Sequence, residues 1–376
     1  MAKRRGNGEG SITRRKDGRW EARYTAHTAS GPKRKVIYGK TRAEVAEKLA
    51  KAISDRSRGL TFDAGSLMLG EFLDRWLKDS VRDTVRQSTY ERHEELIRLH
   101  IRPALGRLKL KSLTPAHVQG LYRDRLDSGL SSATVQKIHV VLHKALSQAV
   151  RWNLIPRNAT EAVNAPRPAP KEMCLLSPNE ARRLLEAARG DRLEALYVLA
   201  VHIGMRQGEL LGLKWEDMDL EGGVISIRRT LTRNRGRLLL GEPKTKRSRR
   251  TVRLTETAAQ TLREHLERQL EEIERLGDLY RDQGLVFTTG VGTPINPTNL
   301  RKRSFAPLLE RAGLPAIRFH DLRHTCATLL LSRNVHPKYV QELLGHATIA
   351  ITLDTYSHVL PGLGDHAAAA MESALS

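Results

Sequence analysis

Arg-Phe-His-Asp-Leu-Arg-His-Thr occupies positions 318–325, Leu-Leu-Gly-His follows at 343–346, and Thr-Leu-Asp-Thr-Tyr-Ser-His closes the series at 352–358. On a helix, residues three apart share a face, so His320 and Arg323 are expected to point the same way, an imidazole beside a fixed guanidinium. That pair suits a phosphate. Gly345 is placed to end the next helix in a left-handed cap, leaving His346 just beyond it, and Tyr356 follows about ten residues on, on a further helix.

Working outward, Gly-Met-Arg-Gln-Gly-Glu-Leu at 204–210 puts Arg206 at the junction between two helices, with Glu209 three residues behind it. Pro-Lys-Thr-Lys at 243–246 lies inside a basic cluster between two strand-like segments, Val224–Thr230 and Thr251–Leu254. Arg206, Lys244, His320, Arg323, His346 and Tyr356, in that order, resemble the signature of the tyrosine recombinases, the phage integrase family. His-x-x-Arg or Leu-Gly-His alone would carry little weight. Six members in the family's order are specific.

The resemblance implies a reaction. Attack on phosphorus builds negative charge on the non-bridging oxygens, which Arg206 and Arg323 would stabilise. Tyr356 would be the nucleophile, losing its proton to His320, and the product a 3′-phosphotyrosine ester. Lys244 would protonate the departing 5′ hydroxyl as a general acid, and Lys246, two residues on, is equally basic. His346 would hydrogen-bond the phosphate, and Glu209 would steady the site without reacting. No cofactor and no metal are implied. The expected partners are double-stranded DNA attachment sites of core and arm type, with a homotetramer on DNA and an excisionase or DNA-bending accessory protein. A Xer-type resolvase shares this chemistry, a type IB topoisomerase is a chemical relative, and a non-catalytic DNA-binding regulator would account for the charge alone.

The formal charge of +22 over 376 residues calls for a polyanionic partner. Residues 1–60 hold 17 Lys and Arg against 6 Asp and Glu, a net +11, so half of the charge lies on a sixth of the chain. Here Gly10–Thr13, Trp20–Thr28 and Lys35–Tyr38 alternate between the turn signals Asp17-Gly18 and Ser30-Gly31-Pro32, which predicts a three-stranded antiparallel sheet. Thr41 and Glu44 predict a capping box opening a helix to about Ser54. The region resembles the arm-binding domain of integrases, with Arg19, Arg23, Lys33, Arg34 and Lys35 as candidate DNA contacts, joined by Lys246 and Arg247 from the basic hairpin.

The rest reads as multidomain and mainly α with small β-sheets. Leu69, Phe72, Leu73, Trp76 and Leu77 form one apolar helical stripe. A second helix is predicted from a Ser88/Glu91 box to about His100, stopped by Pro103 and Gly106. A third runs from Thr114-Pro115 to about Asp127, and a fourth from Ser131 or Ser132. These make a four-helix core-binding domain at 67–155, after an arm-type domain at 1–60. Ile155–Lys171, with Pro156, Pro166, Pro168 and Pro170, is expected to be an extended linker. A mixed α+β catalytic domain at 172–376 opens at Ser177-Pro178. Its long charged helix from about Glu256 is expected to be a solvated outer face, and its Ala-rich tail a last helix docking on itself or a neighbour. Cys174 and Cys326 are not expected to pair, and with no apolar run long enough to span a bilayer the chain is expected in the cytoplasm of a bacterial or phage-infected cell, without membrane contact.

Overall fold

The computed structural model describes residues 10–28, 31–57, 66–169, 173–234, 236–242, 249–356 and 371–375. The chain divides into two compact units, 1–170 and 171–376.

In the first unit, β1 (Ser11–Arg14), β2 (Trp20–Thr28) and β3 (Gly31–Gly39) form an antiparallel sheet in the order β1-β2-β3. α1 (Arg42–Ser57) lays Val45 and Leu49 on Ala22, Tyr24 and Ala26, all buried. At its start the Glu44 amide donates to Thr41 Oγ1 (3.2 Å), but Glu44 reaches back to the Lys40 amide (2.9 Å) and not to that of Thr41.

The bundle follows with α2 (Leu69–Trp76), α3 (Gln87–Leu96), α4 (Arg102–Leu105), α5 (Pro115–Asp127) and α6 (Ser132–Arg151). Phe72, Leu73, Trp76, Tyr122, Ile138, Leu142 and Leu146 are among its buried residues, each large side chain contributing about 1.5–3 kcal/mol by leaving water. Two expectations fail here. α3 begins two residues early, with Arg86 at its N-cap and Glu91 accepting from Gln87 Nε2 (2.9 Å), so no Ser88/Glu91 box forms. Pro103 does not stop the chain either: a π turn over Ile97–Ile101 leads straight into α4, where Pro103 falls in the first turn and its missing N–H is tolerated.

The linker expectation is overturned in its first part, up to residue 162, while 164–169 carry neither helix nor strand. Ile155, Asn158, Ala159 and Thr160 are buried against the bundle. Asn158 Nδ2 donates to His143 O (3.0 Å) and Ser147 Oγ (2.9 Å) on α6, while its Oδ1 accepts from the Thr160 amide (3.0 Å). A buried asparagine satisfied on both sides holds the chain down in spite of Pro156.

In the second unit α7 (Pro178–Ala187) carries a complete capping box, Ser177 with Glu180. α8 (Glu194–His202) is buried from Ala195 through Val201, as a helix apolar on every side must be. α9 (Gln207–Leu211) leads to a sheet in the order β4-β5-β8, built from β4 (Met218–Asp219), β5 (Val224–Ile227) and β8 (Arg250–Arg253). The single strand expected over 224–230 is broken. β6 (Thr230–Asn234) leaves it and pairs with β7 (Arg237–Gly241) as a separate two-stranded hairpin.

α10 (Glu256–Leu276) is more than an outer face, since Ala258, Ala259, Leu262, His265 and Gln269 line a buried side. α11 (Pro297–Asn299) runs through a π turn over Leu300–Phe305 into α12 (Ala306–Arg311). α13 (Asp321–Leu331), α14 (Pro337–Leu344) and α15 (Ile349–Tyr356) complete the described body, and Ala327, Leu331, Val340, Leu344 and Tyr356 form a cluster of their own. Residues 371–375 are helical, and the remainder of the expected C-terminal helix lies outside the described residues. Both cysteines are free.

Candidate active site

Two glycines set the backbone. Gly204 has φ +65°, and a Cβ there would stand 2.7 Å from Leu344 Cδ2, so only glycine lets α8 close on α14 at this point. Gly345, at φ +66°, is the expected left-handed cap of α14. Arg206 caps α9 in extended conformation (φ −69°, ψ 147°), and His320 caps α13 with Arg323 in its first turn.

The last carbonyls of α14 lack helical partners, and three arginines from three elements take them in succession. Arg250 Nε donates to Leu343 O (2.6 Å), Arg323 Nη2 to Leu344 O (2.6 Å) and Arg206 Nη2 to Gly345 O (3.2 Å). Arg323 also reaches Gly204 O (2.8 Å) through Nη1 and is only 2% exposed. Burial first, then the Arg206 guanidinium, draws Arg323 down to about 9, which still leaves it cationic at neutral pH. The guanidiniums that sequence reading assigned to a phosphate are thus held in place by main chain.

Glu209, 3% exposed, balances the cluster. Its carboxylate accepts from the Arg206 amide (3.0 Å), from Arg206 Nη1 (2.7 Å) and from Arg250 Nη2 (3.0 Å). Burial alone would raise this carboxyl, but the Arg250 and Arg206 charges outweigh it and hold it below its ordinary value. The Glu209–Arg250 pair is buried on both sides, so removing one charge strands the other. Glu209→Gln is therefore expected to cost about 3–5 kcal/mol in denaturant unfolding at pH 7. Because the folded carboxyl binds its proton less readily than the unfolded one, this stability is fully present above pH 4.5 and is lost as pH falls through the folded value. The gap between wild type and Glu209→Gln is expected to shrink in acid, and a gap independent of pH would show that the charge is not responsible.

Tyr356 lies 1% exposed at the end of α15, its hydroxyl 2.7 Å from His324 Nδ1. Burial pushes the phenol up to about 12, with Arg323 pulling the other way. His346 stacks on the tyrosine ring (centroids 6.5 Å apart, 12° between planes), and its Nδ1 meets Thr352 Oγ1 at 2.9 Å. His320 is exposed, its ring edge-on to His324 at 4.9 Å. Desolvation is the largest influence on His320 and His346, followed by neighbouring imidazole or guanidinium groups, and both are drawn down to about 4, neutral at pH 7.

The structure therefore gathers Arg206, Glu209, His320, Arg323, His346 and Tyr356. Lys244, Lys246 and Arg247 lie outside the described residues. Two further residues of the site, His324 and Arg250, lie outside the six-residue signature. His324 stands four residues after His320, on the same face of α13. Arg250 pairs with Ile227 while Val252 pairs with Ile225, so period-two alternation turns it to the buried side of β8.

The N-terminal candidates do not share one surface. Arg23 and Thr25 on β2 face outward with Arg34, Val36 and Tyr38 on β3, as the pairings Arg23 with Val36 and Thr25 with Arg34 require. Lys33 and Lys35 are opposite Ala26 and Tyr24, on the side that α1 covers, and Arg19 ends the exposed β1–β2 turn.

A phenol on an imidazole, gathered in one folded unit with carbonyl-held guanidiniums, is the equipment of an enzyme that acts on a phosphodiester. Comparison with known proteins places the chain more narrowly. The profile of the Phage integrase family matches residues 175–362, and that of the Phage integrase, N-terminal SAM-like domain matches 68–126. A "Tyrosine recombinase XerC-like" protein of Caldanaerobacter subterraneus subsp. tengcongensis is 34% identical over 87% of this chain and 88% of its own. An "Integrase" of Streptomyces ambofaciens is 30% identical over 95% and 94%. Among solved structures, the Tn1549 transposon integrase in complex with a circular intermediate DNA superposes with a TM-score of 0.69 at 23% identity, over 82% of this chain and 99% of that one. A lambda integrase tetramer bound to a Holliday junction gives 0.58 at 20%, over 94% and 96%. The chain belongs to the phage integrase family, and it is a tyrosine-type site-specific DNA recombinase.

Proposed function

We propose that this recombinase integrates and excises a phage or other mobile element, with Tyr356 as the nucleophile of a 3′-phosphotyrosine intermediate. The observation that carries the reading is the Tyr356 hydroxyl, held on His324 and within electrostatic reach of Arg323, in the same folded unit that fixes Arg323 and Arg206 on successive carbonyls. Arg206 and Arg323 neutralise the non-bridging oxygens, His346 hydrogen-bonds the phosphate, and Lys244 protonates the 5′ oxygen as it leaves. Glu209 keeps Arg206 in position. The ester conserves the energy of the broken bond, so the 5′ hydroxyl of another strand can reverse the step onto a new partner.

In this reading 1–60 binds arm-type sites, 67–155 binds core sites and 172–376 is catalytic. The protein acts as a homotetramer on double-stranded DNA in the cytoplasm, assisted by an excisionase or a DNA-bending protein. Among the described residues no helix is long and apolar enough to cross a membrane. The basic sheet at the N-terminus favours an integrase over a Xer-type resolvase, which has no need of arm sites.

The test begins with a duplex selected by binding from random-sequence DNA and nicked beside the mapped scissile phosphate. Detergent-resistant protein–DNA complexes on it support the reading, whereas binding without any such complex would leave only a regulator. The sheet gives a second test. Arg34→Ala, on the outward face, is expected to lower discrimination between selected and random DNA. Lys33→Ala, on the helix side, is expected to weaken both about equally and to reduce the salt slope of binding by about 1. Equal loss of discrimination in the two variants would mean that the sheet does not read bases with that face.

A further inference from the structure

We propose that His324 is a catalytic residue of this recombinase, the base that takes the proton from Tyr356 as its oxygen attacks phosphorus and returns it when the strand is rejoined. The proposal rests on the tyrosine-nucleophile reading above and assigns a step that the six-residue signature leaves to His320.

Geometry separates the three imidazoles. His324 Nδ1 is 2.7 Å from the phenol oxygen, within direct transfer distance. His346 has its Nδ1 on Thr352 Oγ1 and meets Tyr356 ring to ring, stacked at 6.5 Å. His320 touches His324, edge-on at 4.9 Å, and opens to solvent. It is placed to relay a proton outward from His324.

The phenol needs such a partner. Its ring packs among Ala327, Leu331, Val340 and Leu344, where an uncompensated phenolate is poorly solvated. With the hydroxyl pushed up to about 12, only about one molecule in 10⁵ would carry phenolate at pH 7 without a base. His324 is half-buried, and desolvation draws its pKa below the ordinary value; Asp321 opposes this, while Arg323 and Arg318 reinforce it. It is therefore neutral and able to accept at pH 7. His320, Asp321 and Arg323 on or beside α13, Arg318 before it, His346 beyond α14 and Tyr356 on α15 are the titratable and charged groups around it.

The step balances. The Tyr356 O–H bond breaks and its proton goes to Nδ1 of a His324 tautomer protonated on Nε2. The phenolic oxygen bonds to phosphorus, the bond from phosphorus to the 5′ oxygen breaks, and that oxygen takes a proton from Lys244. On rejoining, the 5′ hydroxyl gives its proton to Lys244 as its oxygen bonds to phosphorus, the bond from phosphorus to the Tyr356 oxygen breaks, and the imidazolium of His324 returns its proton to that oxygen.

The experiment uses the full chain and the selected duplex in two forms, one ordinary and one with sulfur replacing the 5′ bridging oxygen at the scissile phosphate. A thiolate leaves without a general acid, so loss of a leaving-group acid is rescued by sulfur, whereas loss of the nucleophile's base is not. His324→Gln, which can still accept the tyrosine's hydrogen bond, is expected to bind DNA normally and to cleave both substrates about 10²–10⁴-fold more slowly in single turnover. Cleavage within about threefold of wild type, or rescue by sulfur, would overturn the proposal. Should His324→Gln fold poorly, the wild-type rate decides. A histidine base makes cleavage level off with pH near neutrality, while an unaided phenol gains tenfold per pH unit up to about 12, and that slope would overturn the proposal. Failure of His324 leaves Tyr356 covalent chemistry intact, whereas failure of the nucleophile reading removes adducts from the wild-type protein itself.

Discussion

The Tyr356→Phe protein is expected to bind the selected duplex as wild type does and to form no covalent complex with it. The change removes one oxygen and keeps the ring that packs on Ala327, Leu331, Val340 and Leu344, so the fold around α15 survives. What disappears is the only atom on that ring able to bond phosphorus, together with its hydrogen bond to His324. Loss of a nucleophile that works in concert with its neighbours typically costs more than about 10⁴-fold, beyond the reach of an ordinary gel assay. Leaving the His324 acceptor unpaired adds about 1–3 kcal/mol of lost stability, which a thermal melt would register. Adducts that persist at wild-type levels would move the nucleophile to another residue.

Arg323→Lys carries the second large effect, although it conserves charge. Arg323 spans from Gly204 O to Leu344 O with two different nitrogens of one rigid plane, and a lysine ammonium on a flexible stem cannot hold both carbonyls and a phosphate oxygen together. Single-turnover cleavage at saturating DNA is expected to fall about 10²–10³-fold, the usual cost of losing one preorganised donor to a developing oxyanion. A carbonyl left unpaired on Gly204 or Leu344 would cost about 1–3 kcal/mol in unfolding experiments. Cleavage at the wild-type rate would show that the planar fork is not used on the phosphate.

Much of this architecture was readable from residue order because local rules and packing agree there. Thr114-Pro115, Ser131 and Ser177-Pro178 open helices where their side chains can accept from the third amide, and Gly345 ends one where a left-handed residue is needed. Local rules do not reach the places where partners distant in sequence decide. Asn158 looks like a loop residue until His143 and Ser147 on α6 supply its partners. Leu238, Leu239 and Leu240 gave no sign that β7 would pair with β6 and split an expected strand, because register depends on the partner. Within the site, the signature located each of its described members, but it names residues by family habit. His324 entered through a contact with a residue 32 positions away, and Arg250 stood in a run of basic residues that composition alone cannot sort.

The succession of carbonyls at 343, 344 and 345, each held by a different arginine, has an electrostatic consequence. The negative pole of the α14 dipole, with Glu209 beside it, acts as a built-in counterion that lets like charges crowd together before any nucleotide arrives. Mobile salt therefore has little to screen among these groups, while the exposed lysines and arginines of the basic N-terminal sheet feel ionic strength fully. Capture of DNA and the bond-making step thus answer to different parts of the buffer.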